Sequence, residues 1–503
     1  MTHPIQTASA YHRSTGYARH RMSPHTLDWA NQPQLAKSYP HLKRVPLIQS
    51  DTLPAVDYFH LVQRACRNDR QSAATLDLNT VSMLFRLTQA VTARSMHSGQ
   101  PFYYRSVASA GALYPFELYL AVHRVDGLAP GVYHYDVFDF SLTALRGDAV
   151  PPIPPFGHGV AATVYISGIF FRSAWKYRSR AYRYVLLDAG HLLENLRLAS
   201  TALSVSFSVH LDFDDHRAGT LLGLDPQREA CLAVIHLADS IEEKTPEVSG
   251  LTLAPLGDEI VNASRVSTKE VTYPEILQAH GAGSGWEEGV RDSMTAIAAV
   301  RRSPQTWQPV TVPDKPGGRD YVDVLWHRRS RRNFISEPLS DERLRIFLGL
   351  LADAAAADLP CSRPSVIDIG FLAGVGGALA PGFYLYDPHG RRWGRLSQGD
   401  LVEPMAKACL DQMWLKNAAL HLMFMTDTAA LDRFRGPRGY RHAMIEAGRL
   451  GQQAYLAATA LGMGACGIGA IYDREAADLL DLGDDGALLY LVGIGPIKAG
   501  GYR

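Results

Sequence analysis

No run in this 503-residue chain approaches the ~20 consecutive apolar residues that a membrane-spanning helix requires. The opening residues, MTHPIQTASAYHRSTGYARHRM, also lack the apolar core of a secretion signal, so the expectation is a cytoplasmic protein with no membrane attachment. Cysteine is scarce. Cys66, Cys231, Cys361, Cys409 and Cys466 are odd in number and never at CxxC spacing, which argues against a zinc site or a disulfide framework and for a reducing compartment. Neither charge prevails: Lys+Arg and Asp+Glu number 50 each, so no global field draws the chain to nucleic acid or to an anionic surface. What is present, 47% hydrophobic and 20% charged residues, describes an ordinary folded protein too long for one core.

One short stretch departs from this neutrality. WKYRSRAYRY (175–184) packs four cations and four aromatics into ten residues ahead of an apolar, helix-like run. Cations meet phosphates and rings stack on bases, so such interleaving suits single-stranded nucleic acid. It equally suits a solvated helix start or part of an active site. Spacing alone does not choose among the three.

The chain also repeats itself. GVYHYD (131–136) returns as GFYLYD (382–387), and AYRYVLLDAGHLLENLRLASTALSV (181–205) returns as GYRHAMIEAGRLGQQAYLAATALGM (439–463). The motifs keep their order and nearly their register, with Gly131 and Gly382 lying 251 residues apart and Tyr182 and Tyr440 lying 258 apart. Two homologous halves follow. The small-residue helix in each half reads as buried on all faces, and a short strand (207–211 or 466–471) and a final strand (230–237 or 487–495) come after it. Irregular alternation of helices and strands favours an α+β class over a βαβ series. Pro- and Gly-rich segments, ending in SPQTWQPVTVPDKPGGRD (303–320), divide the chain into an N-terminal domain (1–265), a connecting segment (266–320) and a C-terminal domain (321–503).

Three segments carry chemistry. YYRSVASAGALYP (103–115) is a run of small residues that lets a backbone approach a flat ligand, with Ser109 adding a hydroxyl; a plain surface loop is the alternative. WHRRSRRNF (326–334) offers guanidinium forks and a hydroxyl suited to a phosphate, or else a solvated basic helix end. The third is WKYRSRAYRY. Other motifs read as structural. HGAGSG (280–285) and GVGG (374–377) lack the full dinucleotide fingerprint, LDFDDH (211–216) reads as a helix cap, His191 and Glu194 lie on the buried helix, and no metal site is expected.

Taken together, the tandem halves, RRSRRNF, SAGALYP, GVYHYD and WKYRSRAYRY followed by DAGH resemble the flavin-dependent nitroreductase superfamily. Within it they are similar to the SagB-type dehydrogenase or azoline oxidase branch, and HTLDWANQP (25–33) looks like that branch's N-terminal signature. The resemblance implies a tandem duplication of the nitroreductase fold as an intrachain pseudo-dimer, with FMN in the seam. It implies a phosphate clamp of Arg328, Arg329, Ser330 and Arg332 from the second half. It places the loop Ser109, Ala110, Gly111, Ala112, Leu113 and Tyr114 from the first half against the ring, with Gly467, Ile468 and Gly469 near its N5 edge and Lys498 or Arg503 as a C-terminal phosphate ligand. Ala108 departs from the proline common there. The reciprocal elements, CRNDRQS (66–72) and CSRPSVIDIG (361–370), match poorly, so one competent site per chain is expected.

In that branch a Lys-Tyr pair transfers protons, and Lys176 and Tyr177 match it; the aligned place in the second half reads Phe434-Arg435. The resemblance implies oxidation of a thiazoline or oxazoline, in a peptide or carrier-bound substrate, alongside other biosynthetic enzymes. Ring dehydrogenation removes a proton from carbon, which requires a positioned base. Arg178, Arg180 and Arg183 read as solvated or paired residues of a helix start. Two alternatives stay open: an NAD(P)H-driven reductase of nitro groups, quinones or activated alkenes, and a non-catalytic flavoprotein that scaffolds a complex.

Overall fold

The computed structural model describes residues 5–22, 25–50, 52–67, 76–97, 100–147, 150, 153, 159–238, 253–285, 295–313, 317–357, 359, 365–374 and 377–498. These residues form two units. The first comprises 1–5, 26–55 and 69–290, and the second 6–25, 56–68 and 291–503.

The first unit is built on a seven-stranded sheet of β1 (Arg44–Pro46), β4 (Phe116–Val122), β5 (Gly131–Asp136), β6 (Ser141–Arg146), β7 (Val160–Ile169), β8 (Ser206–His210) and β9 (Glu229–Ala238). Its order is β1-β6-β5-β4-β7-β9-β8, while β2 (Val91–His97) and β3 (Gln100–Arg105) pair as a separate hairpin. The second unit repeats the pattern with β10 (Gln308–Pro309), β11 (Asp368–Ala373), β12 (Gly382–Asp387), β13 (Arg392–Gln398), β14 (Leu420–Asp427), β15 (Gly464–Ile468) and β16 (Gly486–Gly495), in the order β10-β13-β12-β11-β14-β16-β15. The two orders correspond strand for strand, so the repeat read from the motifs is a duplication of the whole sheet.

The sequence explains the layering. VAATVYISGI and ALLYLVGIG read as continuous apolar runs because both faces of these central strands are covered, and β7 is buried along its whole length. The edge strands β1 and β10 are short, three and two residues, which limits the unpaired backbone they present. In the long helix Ala181–Ala202 only Thr201 escapes burial, and in its counterpart Gly439–Ala460 only Thr459. Frequent Ala and Gly let these helices pack on every side. The helix cap read at LDFDDH is present: the Asp214 side chain accepts from Arg217 N at the start of Asp215–Leu222.

Domain limits read along the chain differ from the units as folded. The first unit runs to 290, beyond 265, and two segments from the first half belong to the second unit. Helix Ala8–Ser14 packs on helix Thr428–Arg435, whose Asp432 carboxylate caps its N-terminus by accepting from Ala8 N and Ser9 N at 2.6 and 3.1 Å. Helix Tyr58–Arg67 packs on helix Asp341–Ala355, burying Tyr58, Phe59, Leu61, Val62 and Ala65, and Gln453 Nε2 donates to Tyr58 Oη at 3.0 Å. The chain crosses between units because a core residue must follow its partners rather than its place in sequence.

Residues 291–503 expressed alone should therefore lack a cooperative thermal transition by circular dichroism. Burying each large apolar side chain of Tyr58–Arg67 contributes about 1.5–3 kcal/mol, and together these are comparable with a domain's whole stability. Co-expression with residues 1–68 should restore the transition. A cooperative melt of the fragment alone, close to that of the full chain, would contradict the interlocked second unit.

Candidate active site

The loop from Ser109 to Pro115 lies between β3 and β4, and its shape is unusual. Gly111 has φ +66°, and the non-glycine residues Ala112 and Tyr114 also take positive φ, 53° and 44°. Such backbone needs outside support, which a buried carboxyl provides. The Ser109 hydroxyl lies 2.5 Å from Asp188 Oδ2, Ala110 N donates to the same carboxyl at 3.2 Å, and Tyr114 N donates back to Ser109 Oγ at 2.9 Å. Burial pushes the Asp188 pKa up to about 8, against the lowering effect of its bonds from Ser109 and Ala110.

Helix Phe170–Tyr177 brings the Lys-Tyr pair to this loop. A Cβ on Gly111 would stand 2.9 Å from Tyr177 Oη and 3.3 Å from Lys176 Nζ, so only glycine leaves both polar groups their place. Lys176 Nζ stands 5.5 Å from the Tyr177 ring centre, and that ring lies 4.3 Å from that of Tyr184. One turn earlier, the buried Arg172 guanidinium donates to Tyr114 O at 3.1 Å, Gln34 O at 2.8 Å and Glu117 Oε1 at 2.6 Å. Burial raises the Glu117 carboxyl, but Arg172 and His134 outweigh it and hold the group well below the usual carboxylate range. Helix and loop end are thus locked to each other through Arg172.

HTLDWANQP also reaches this helix: Trp175 Nε1 donates to Asp28 O at 2.9 Å, and the Trp29 and Trp175 rings meet edge to face at 5.2 Å. Of the arginines in WKYRSRAYRY, Arg178 alone is exposed. Arg180 and Arg183 are buried and have partners, so of the two readings, solvated or paired, the paired one holds for them, and neither is presented to nucleic acid.

In the second unit Ser330 and Arg328 of the expected clamp lie beside Tyr455, while the Arg332 guanidinium stands 6.0 Å from the Trp414 ring centre. The Tyr455 hydroxyl lies 3.0 Å from Ser330 Oγ and accepts from Gly467 N at 2.6 Å, while the buried Arg328 guanidinium stands 5.5 Å from the Tyr455 ring centre. A Cβ on Gly467 would fall 1.8 Å from Tyr490 Oη, which requires glycine there. Arg331 N donates to Ala465 O, and Lys498 N donates to Asn333 O at 3.1 Å, so the Lys498 backbone lies beside the clamp segment. Arg503 lies outside the described residues, as do 68–72 and 361–364 of the reciprocal motifs.

Several expected ligands have other uses. Arg329 Nη1 donates to the carbonyls of Trp326 and Arg328, Ile468 is part of the apolar core, and the Leu113 and Tyr114 side chains are buried. Lys176, Tyr177, Ser109, Ala110, Gly111 and Ala112 come together in one unit, and Arg328, Ser330, Arg332, Gly467, Gly469 and Lys498 belong to the other. Asp188 was noted only as part of DAGH, with no role assigned, and Arg172 and Tyr455 were not foreseen. Their signal was faint, because each is one polar residue among several in its helix. The second half shows what Asp188 does differently, since its counterpart Glu446 is bound bidentately by Arg449 at 2.6 and 2.8 Å.

Comparison with known proteins agrees with this architecture. The profile of the nitroreductase family matches residues 378–496. A nitroreductase-like protein of Methanocaldococcus jannaschii is 31% identical over 178 residues, 34% of this chain and 89% of that protein. The trifolitoxin-processing protein TfxB of Rhizobium leguminosarum bv. trifolii is 29% identical over 180 residues, 32% of this chain and 47% of that protein. A crystal structure of a nitroreductase-like protein from Anabaena variabilis has the same fold along the chain, with a TM-score of 0.78 at 24% identity, covering 98% of this chain and 100% of that one. The chain belongs to the nitroreductase family, as a tandem duplication of that fold. It is an oxidoreductase of that family, whose cofactor is FMN. No helix among the described residues is long and apolar enough to cross a membrane, and no group of His, Cys, Asp and Glu among them could hold a metal ion.

The Asp188 shift makes stability depend on pH. Between about 4 and 8 the folded protein holds a proton that the unfolded chain has released, so stability falls as pH rises, by up to about 1.4 kcal/mol per pH unit. Above pH 8 both states are ionised and the slope vanishes. Urea melts of the wild type and Asp188→Asn across this range should diverge with rising pH, the variant becoming relatively more stable. Parallel curves would mean that Asp188 is ionised throughout.

Proposed function

We propose that this protein is an FMN-dependent dehydrogenase that oxidises a thiazoline or oxazoline, in a peptide or carrier-bound substrate, to the aromatic azole. The observation that carries this reading is the convergence of Lys176 Nζ and Tyr177 Oη on Gly111, at the tip of the loop that the resemblance lays against the flavin. Similarity to a trifolitoxin-processing protein agrees with a peptide substrate and with partner enzymes of a biosynthetic pathway.

The residues present fit the cofactor. WHRRSRRNF supplies guanidinium groups and a hydroxyl with no carboxylate among them, the donor set a phosphate needs, and Lys498 follows close by. Arg328, Ser330 and Arg332 are the proposed phosphate ligands, with Gly467 N and Gly469 beside the ring. FMN, when bound, supplies the hydride acceptor. Lys176 would take the proton from the ring carbon next to the carbonyl as the neighbouring CH₂ gives up its hydride, and Tyr177 would relay that proton away from the ring. Arg172 keeps the helix that carries them fixed to the loop, so that the base is already in place when substrate arrives.

Changing Arg328 and Arg332 together to Ala removes charge-assisted bonds of about 1.5–3 kcal/mol each, so flavin should leave while the fold remains. Absorbance after desalting measures this, and a double variant that stays yellow would show the clamp to be misassigned. Lys176→Ala should keep FMN yet slow azoline turnover by about 10²–10⁴, the contribution of general-base catalysis. A second reading, an NAD(P)H-driven reductase, is favoured by similarity to the Methanocaldococcus protein. Reduction by NADH needs no proton taken from carbon, so Lys176→Ala should spare it. Azoline turnover that survives the substitution would put the reductase first.

A further inference from the structure

Asp188 has 3% of its surface exposed, and two groups hydrogen-bond to it: the Ser109 hydroxyl and Ala110 N. No cation pairs with it among the described residues. The titratable groups facing the same loop are Lys176 and Tyr177, which lie against Gly111 from the neighbouring helix, and on the helix of Asp188 itself Tyr184 and His191 stand four residues before and three after it. A carboxylate buried without a cation is strongly disfavoured relative to the neutral acid.

Ser109 Oγ has two neighbours in this arrangement, Asp188 Oδ2 at 2.5 Å and Tyr114 N at 2.9 Å. Tyr114 N can only donate, so it occupies one lone pair of the hydroxyl. Were Asp188 an anion, the single Ser109 hydrogen would have to point at it. With the acid protonated, Asp188 donates to the second lone pair, and the Ser109 hydrogen is left free of both neighbours to serve a third group.

We propose that Asp188 is a positioning residue that works as a neutral acid, donating to Ser109 and so making the Ser109 hydroxyl a hydrogen-bond donor aimed at the flavin. The proposal rests on the reading above that the loop lies against FMN. The second half supplies a contrast: Glu446 at the matching position has its charge balanced by Arg449 and is not available as a donor.

Infrared difference spectra of flavin-free protein at neutral pH, wild type minus Asp188→Asn, test the protonation state without the cofactor. A protonated carboxyl band present only in the wild type is expected, and carboxylate bands in its place would overturn the proposal. FMN titration by fluorescence tests the aim of the hydroxyl. Asparagine can accept from Ala110 N with its oxygen and donate to Ser109 with its amide, so Asp188→Asn should hold FMN within about threefold of wild type, while Ser109→Ala should weaken it by about tenfold, the loss of one hydrogen bond. Asp188→Asn weakening flavin as much as Ser109→Ala would show that the anion is required and overturn the neutral acid. The carboxyl band present with Ser109→Ala binding FMN normally would leave the acid assigned but refute its aim at flavin, and with it the placement of the loop.

Discussion

The loop from Ser109 to Tyr114 holds three residues at positive φ, two of them not glycine, and the contact that sustains it is a buried carboxyl that no cation among the described residues pairs with. The loop and the Lys176-Tyr177 pair are arranged around that contact. Asp188 fixes Ser109 and Ala110, these fix Gly111, and Gly111 alone leaves room for Lys176 and Tyr177. Arg172 closes the arrangement from the other end by binding Tyr114 O from the helix that carries the pair. Loop and helix come from distant parts of the sequence and are joined by that bond.

Duplication made this specialisation possible. Both halves keep the same seven-strand order and the same fully buried long helix, so the scaffold is held in common. The chemistry is divided between them. Asp188 serves a loop where Glu446 serves Arg449, and Lys176-Tyr177 stand where the other half has Phe434-Arg435. Ser330 and Gly467, in turn, are joined through Tyr455, in a helix whose first-half counterpart carries Arg197 paired with Glu194. Each half spends its buried polar groups on a different task.

Much of the fold was legible because it is written in repeats and periods. GVYHYD and GFYLYD, and the two long helices, marked the duplication, and the apolar runs of β9 and β16 marked the final strand of each half. The site was legible where special backbone forces a residue type, as at Gly111, or where cations cluster, as at Arg328 to Arg332. The roles of Asp188, noted only within DAGH, and of Tyr455 were not legible because a polar residue in a buried helix looks the same whether it is satisfied locally, as Glu194 is by Arg197, or reaches a distant loop. The crossing of Ala8–Ser14 and Tyr58–Arg67 into the second unit escaped notice for a related reason: an amphipathic helix shows that it must be covered, but not by what.

The proposed function turns on whether the Lys176-Tyr177 pair serves removal of a proton from carbon. Anaerobic mixing of the flavin-loaded protein with a thiazoline-containing peptide, and separately with NADH, compares the two electron donors in a single turnover. The account predicts that the peptide bleaches the yellow absorbance faster and that the product is the thiazole. Rapid bleaching by NADH with none by the peptide would contradict it.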